Sequence, residues 1–416
     1  GANLAKYITV VVLYVAMIYK SDQIYTEDGC FSGYMKVENG KIRDFLFDAG
    51  TDEVIDYTGY RIIPGIFDTH NHGTMGYTIM GDVKNKEAHV RGYLKGLASQ
   101  GVTAVLATAD LPFFTTLAQM ASLELDGAKI IGIHSEGPFL NRVGEKGIDT
   151  GHPEITDELL EKMVDEAGGV LKLVALAPEL PHADEAIAYF KGKGIRVAFA
   201  HSNCNYEEAV TAFRKGITVT THTANVMSGI HHRRMGGLGA CILDAYVNNE
   251  LICDFMHVSK EMIDLILRCK TPDKIMLVSD NTPLSGAPVG RYMLTVNEDN
   301  RMAVNIDEKG YCLSDTGRLC GSTKPVLTGI GNLVEQLQVP METAIQMASL
   351  NPARVYGIGD HKGSLAIGKD ADFVVINNNY EACYTYSEGR MIYNSEKDTD
   401  LFNQAYLNEI AFCEDK

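Results

Sequence analysis

Six side chains, widely spaced along the 416-residue chain, are of the types that hold divalent metal ions: His70, His72, Glu136, His201, His222 and Asp280. Alternate residues of an extended segment share a face, so His70-Asn71-His72 presents two imidazoles to one side. Adding Glu136, His201, His222 and Asp280 makes four imidazoles and two carboxylates. That donor set suits one or two divalent cations with a position left open for water. A single histidine after a strand is ordinarily capped or solvated. Six independent buried polar groups, however, would lack compensating partners. A shared cation is the more economical reading.

Each of these residues follows a short apolar run. Candidate buried strands occupy residues 62–67, 104–107, 130–134, 172–176, 196–200, 218–221, 251–255 and 274–278. The first leads into Asp68-Thr69-His70-Asn71-His72 and the third into His134-Ser135-Glu136-Gly137-Pro138. The last four lead into His201, His222, His257 and Ser279-Asp280. Helical patterns lie between most of the strands. Asn205 and Glu208 form a capping pair before a helix closed by Gly216, Thr156 can cap another, and residues 86–99 stop at Gly101. Eight strands each followed by a helix predict a (β/α)8 TIM barrel, whose loops after the strand ends converge on one mouth. No GxGxxG or GxxxxGKS loop occurs to support a nucleotide-binding sheet. Both ends of the chain instead carry hairpin signals, such as Glu27-Asp28-Gly29 and Glu38-Asn39-Gly40. The expected organisation is a barrel over residues 62–354 and a small β-sandwich domain built from residues 17–61 and 355–416.

Lys and Arg total 37 against 54 Asp and Glu, a net charge of −17. Such a chain is a poor general binder of nucleic acid or anionic membrane. An anionic ligand must meet a local basic cluster, and His231-His232-Arg233-Arg234 is one. Nine cysteines without a CxxC pair argue against a disulfide framework and fit a reducing, cytoplasmic setting. The apolar stretch 7–19 is too short to span a membrane and is rich in Val, Ile and Tyr. Residues 1–16 read wholly or partly as a non-native remnant, or as an extra strand.

The order HxH, EGP, His, His, Asp along eight strands resembles the amidohydrolase superfamily. The fuller segments PGIFDTHNHG (64–73), HSEGPFLN (134–141), HTANVMSGIHHR (222–233) and LVSDNTPLSG (277–286) are similar to the N-acetylglucosamine-6-phosphate deacetylases within it. That resemblance implies hydrolysis of the acetamido group of N-acetylglucosamine 6-phosphate to glucosamine 6-phosphate and acetate, in amino-sugar catabolism. By it, Glu136, His201 and His222 bind the principal metal, while His70, His72 and Asp280 complete a second site, with one or two ions per subunit. Zinc fits these ligands, and iron or manganese would also be accepted. Asp280 would serve as general base and then general acid. Arg233 would bind phosphate across a homodimer interface, and Asn225, Val226, His257 and His152 would line the sugar.

Departures from the family pattern cluster around the substrate. Ala224-Asn225-Val226-Met227 lacks the usual aromatic and the usual Asn-Ala-Met, and Arg234-Met235 replaces Glu-Pro. The segment ending in Gly151-His152 differs from the usual Gly-Ala-His. They spare the metal ligands and leave N-acetylgalactosamine 6-phosphate as the natural rival substrate. A cyclic-amide hydrolase or aminopurine deaminase is a further alternative, disfavoured because an uncharged ring needs no arginine pair. A non-catalytic scaffold would predict a broken ligand set.

Overall fold

The computed structural model describes residues 16–141, 151–297 and 300–413. The non-native remnant or extra strand expected over 1–16 therefore lies outside the described residues except for Ala16, as do residues 142–150 before His152.

Eight strands run in parallel and in sequence order: β1 Ile66–Asn71, β2 Val102–Thr108, β3 Lys129–Glu136, β4 Leu171–Leu176, β5 Arg196–Phe199, β6 Ile217–Thr220, β7 Asn248–Leu251 and β8 Ile275–Leu277. This is the expected (β/α)8 barrel. Strands buried on both faces need no polar alternation, which is why most of them read as continuous apolar runs. Phe67, Leu106, Leu173, Val219 and Met276, interleaved with Ala104, Ala175 and Ala198, fill the interior. Large and small side chains alternate there to fill a narrow cylinder. A second core, including Val105, Ile133, Val174 and Val197, packs the outer faces against the helices.

The ring closes differently between β8 and β1. An isolated parallel bridge pairs Asn71 with Asn281, the Asp280 amide donates to the His70 carbonyl at 2.8 Å, and the His72 amide donates to the Asn281 carbonyl at 2.9 Å. Beneath them the buried Asp68 carboxylate accepts from Ser279 Oγ at 2.5 Å and Asn71 Nδ2 at 3.1 Å. Polar side chains do here what a ladder does elsewhere.

Two strands depart from the expected placement. The first run splits at Gly65, where a Cβ would stand 2.0 Å from Thr103 Oγ1, so the chain can only pass this close without a side chain. Residues Arg61–Pro64 join the terminal sheet instead and β1 starts at Ile66. The seventh strand is Asn248–Leu251, not 251–255. Its residues Asn248, Asn249 and Glu250 are buried although polar, and Asn249 Nδ2 donates to Thr220 Oγ1 at 2.8 Å, so this strand carries no apolar run.

The expected caps are present: the Asn205 side chain accepts from the Glu208 amide and that of Thr156 accepts from the Leu159 amide. Strands from both chain ends, including Met17–Thr26, Gly29–Glu38 and Phe373–Ile376, join one eight-stranded sheet. Tyr19, Met35, Phe373 and Tyr386 pack in its core. A three-stranded sheet not anticipated from sequence, Gly290–Asn297, Asn300–Ile306 and Cys312–Ser314, follows β8. Among the described residues no helix is long and apolar enough to cross a membrane.

Candidate metal centre

All six predicted ligands meet at the C-terminal mouth of the barrel. Their donor atoms form two groups that could hold a metal ion, His70, His72, Glu136 and Asp280 in one and Glu136, His201 and His222 in the other, each within 4.8 Å. Glu136 belongs to both. The strands explain the convergence: Glu136 is the last residue of β3, and His201 and His222 each lie two residues beyond β5 and β6. At His201, His222 and Asp280 the backbone turns left-handed, with φ of 45°, 28° and 51°. Non-glycine residues adopt that region at a cost, and such strain collects at functional sites. Here it turns three donors toward the barrel axis just where the ladder ends.

The atoms face one another in a way that calls for a cation. His70 Nε2 and His72 Nε2 are 3.3 Å apart, and His201 Nε2 and His222 Nε2 are 3.1 Å apart. Two imidazole nitrogens at these separations need either a proton or a shared cation between them. Asp280 Oδ1 lies 3.1 Å from both His70 and His72, while Glu136 lies 3.6 Å from His201 and 3.7 Å from His222. Ligands about 2.1 Å from a tetrahedral ion stand about 3.4 Å from one another. The observed spacings bracket that edge, so the residues fit a divalent metal. The closest pair, His70 Nε2 and Glu136 Oε2 at 2.6 Å, is in direct ion-pair contact.

Charge in the site is arranged to the same end. Burial opposes protonation of His70, but the carboxylates of Asp280, Glu136 and Glu250 outweigh it and raise its pKa well above the ordinary histidine value. Burial likewise opposes a charge on His72, yet hydrogen bonds to Asp280 and Glu136 lift it to about 9. His222, dominated by burial, falls to about 4. Burial would raise Glu136 and Asp280, but His70 and its neighbours hold both well below the carboxylate range. Protons on His70 and His72 thus occupy positions that an ion must take. Metal affinity of the chelated protein should therefore weaken as pH falls below about 9, where His72 becomes protonated. Calorimetric zinc titration in buffers of different ionisation enthalpy should register proton release at pH 7; none would contradict this charge state.

The surrounding residues include three carboxylates that sequence reasoning missed. Glu250 Oε1, fully buried on β7, accepts from His70 Nδ1 at 2.8 Å and from the His222 amide at 3.2 Å. Glu179, after β4, accepts from Asn141 Nδ2 at 2.8 Å, Ser202 Oγ at 2.7 Å and the Asn203 amide at 2.7 Å, tying three mouth loops together. Asp254 accepts from His257 Nδ1 at 2.6 Å and from the His257 amide at 2.9 Å. No signal marked Glu250, because the polar run Asn248-Asn249-Glu250 does not read as a strand.

The other predicted residues are placed unevenly. Asn225 Nδ2 donates to the His222 carbonyl at 3.1 Å, which sets it beside the metal group. Val226 has φ of 56°, an outlying conformation for a β-branched residue, and its carbonyl accepts from the Ser202 amide at 3.2 Å. Arg233 is exposed at the tip of a tight turn closed by reciprocal bonds between His231 and Arg234 of 2.8 and 2.9 Å. His152 is also exposed, with Nδ1 3.0 Å from the Pro153 carbonyl oxygen.

Comparison with known proteins agrees with this geometry. The profile of the amidohydrolase family matches residues 61–406. An N-acetylglucosamine-6-phosphate deacetylase of Vibrio furnissii is 33% identical over 347 residues, covering 80% of this chain and 83% of that protein. An N-acetylgalactosamine-6-phosphate deacetylase of Escherichia coli O157:H7 is 30% identical over 384 residues, covering 90% and 98%. Among solved structures, the N-acetylglucosamine-6-phosphate deacetylase from Pasteurella multocida superposes with a TM-score of 0.77 at 26% identity, covering 91% of this chain and 99% of that one.

Proposed function

Because the chain belongs to the amidohydrolase family, within the N-acetylglucosamine-6-phosphate deacetylase branch, we propose that it hydrolyses N-acetylglucosamine 6-phosphate to glucosamine 6-phosphate and acetate. The observation that carries the reading is the meeting of His70, His72, Glu136, His201, His222 and Asp280 at one barrel mouth. Glu136, His201 and His222 would hold the principal ion, and His70, His72 and Asp280, with Glu136 shared, a second. Zinc is the ion we assign, since imidazole and carboxylate donors at tetrahedral spacing suit it. When bound, a divalent cation supplies acidification of water and polarisation of the acetyl carbonyl.

The chain's own residues do the rest. Asp280 accepts a proton from the attacking water and returns it to the departing amine nitrogen. An amine leaves far more readily once protonated, so one carboxylate serves both steps. Asp254 fixes the ring of His257, which with Asn225, Val226 and His152 lines the sugar. Arg233 pairs with the phosphate, for which a guanidinium offers a bidentate donor. Its exposure on a projecting turn is what an arm reaching the neighbouring site of a homodimer requires. Arg233→Ala should raise KM for the phosphorylated sugar about 10- to 100-fold, the worth of charge-assisted hydrogen bonds, with kcat little altered. An unchanged KM in steady-state assays dismisses the assignment. We further place the enzyme in the cytoplasm, where its nine free thiols would stay reduced.

The decisive experiment measures acetate release from the 6-phosphates of N-acetylglucosamine and N-acetylgalactosamine and from their unphosphorylated forms, before and after chelation and metal add-back. Turnover should be fastest with N-acetylglucosamine 6-phosphate, vanish on chelation and return with zinc. Metal-independent turnover, or none with any of the four, removes the proposal. Faster turnover of the galactosamine substrate would reassign the epimer only.

A further inference from the structure

We infer that Glu250 is the positioning residue of the centre: through one buried carboxylate oxygen, itself held by the His222 backbone amide, it fixes the ring of His70 so that Nε2 faces the ion. The inference deepens the metal-dependent reading above and rests on it.

The argument starts from the cost of the residue. A fully buried carboxylate loses its hydration, a penalty that specific partners must offset. Glu250 sits inside a parallel strand, where apolar side chains would pack without that loss. Its partners are both on ligand residues. Oε1 accepts from His70 Nδ1 at 2.8 Å and from the His222 amide at 3.2 Å, and the side chain is 0% exposed.

The geometry of His70 shows what this achieves. A neutral imidazole carries one N–H and one lone pair, and the bond made by one nitrogen decides the role of the other. Once a cation replaces the proton on Nε2, Nδ1 donating to Glu250 leaves the lone pair of His70 on Nε2. That nitrogen is the one within 2.6 Å of Glu136 and 3.1 Å of Asp280. The opposite tautomer would aim an N–H at the ion. His70 belongs to one donor group and His222 to the other. A single oxygen bonded to both spans the two groups from below, as Glu136 does from within.

The other packing on His70 does not do this work. His134 stands edge-on to it with ring centroids 4.8 Å apart, but its Nδ1 bonds Thr108 Oγ1 at 2.9 Å. His134 confines the ring without deciding which nitrogen carries the proton.

The test uses the full-length chelated protein, titrated with zinc against a chromophoric competitor. His70→Ala first identifies the ion that depends on His70. In Glu250→Ala that ion should bind about 10- to 100-fold more weakly, the usual effect of removing a ligand's outer partner. The ion that survives His70→Ala should change far less. Glu250→Gln keeps an oxygen for Nδ1–H and should recover part of the affinity. Nitrogen-15 NMR of the zinc-loaded wild type should show His70 protonated on Nδ1. Wild-type affinity in Glu250→Ala, equal weakening of both ions, or no ion lost in His70→Ala would each overturn the inference. If the alanine variant does not fold, Glu250→Gln decides: selective weakening of the His70-dependent ion supports the role, and unchanged affinity rejects it. Acetate release by the wild type is measured separately. Selective metal loss without acetate from any sugar would therefore sink the proposed reaction and leave the role of Glu250 standing.

Discussion

Asp280→Asn should lower kcat for the deacetylation by about 10²- to 10⁴-fold, the span covered by removal of a general acid–base group, while KM stays within a few-fold. The asparagine is nearly isosteric, and the left-handed backbone at this position, φ 51°, is one that asparagine tolerates better than most residues. Loss of rate should therefore report loss of the proton acceptor rather than a collapsed loop. Metal content needs parallel measurement, because Asp280 Oδ1 stands 3.1 Å from both His70 and His72. A variant that keeps its metal and works within a few-fold of wild type would refute the assigned role.

Glu136→Ala should be more damaging still. Its carboxylate is common to both donor groups, so its loss should deplete both ions, whereas His222→Ala should leave the His70–His72–Asp280 group able to bind one. Removal also leaves four imidazoles facing one another with one acidic partner fewer. Activity should fall by at least about 10³-fold, since the water would no longer be acidified. Elemental analysis after dialysis against metal-free buffer separates the two variants. Full metal content in Glu136→Ala would show that the groups are not joined through this residue.

Much of this centre was legible before the fold was known, for a physical reason. Barrel chemistry sits where strands end, so Glu136, His201, His222 and Asp280 each advertise themselves as a polar residue ending an apolar run. His70 and His72 do so through a spacing of two. The strands were readable because burial on both faces demands uninterrupted apolar residues. Where function intrudes on that demand, the signal fails. Asn248, Asn249 and Glu250 form a strand while reading as a loop, and the same substitution of polar for apolar hid the carboxylate that holds His70. Glu179 and Asp254 lie in loops, where an acid is unremarkable until its partners are seen. Arg233 illustrates the converse: its sequence context singles it out, yet within one chain it points outward from a turn.

The way the ring closes carries a consequence for its heat resistance. His70 and His72 lie on one side of the join and Asp280 on the other, linked by an isolated bridge and a few polar contacts. A cation gripped by all three would act as a rivet across the seam, fastening the first strand to the last where the hoop has least weave of its own. Stripping the protein of metal should then loosen the barrel along that line first, and its melting temperature should climb with zinc concentration as mass action demands.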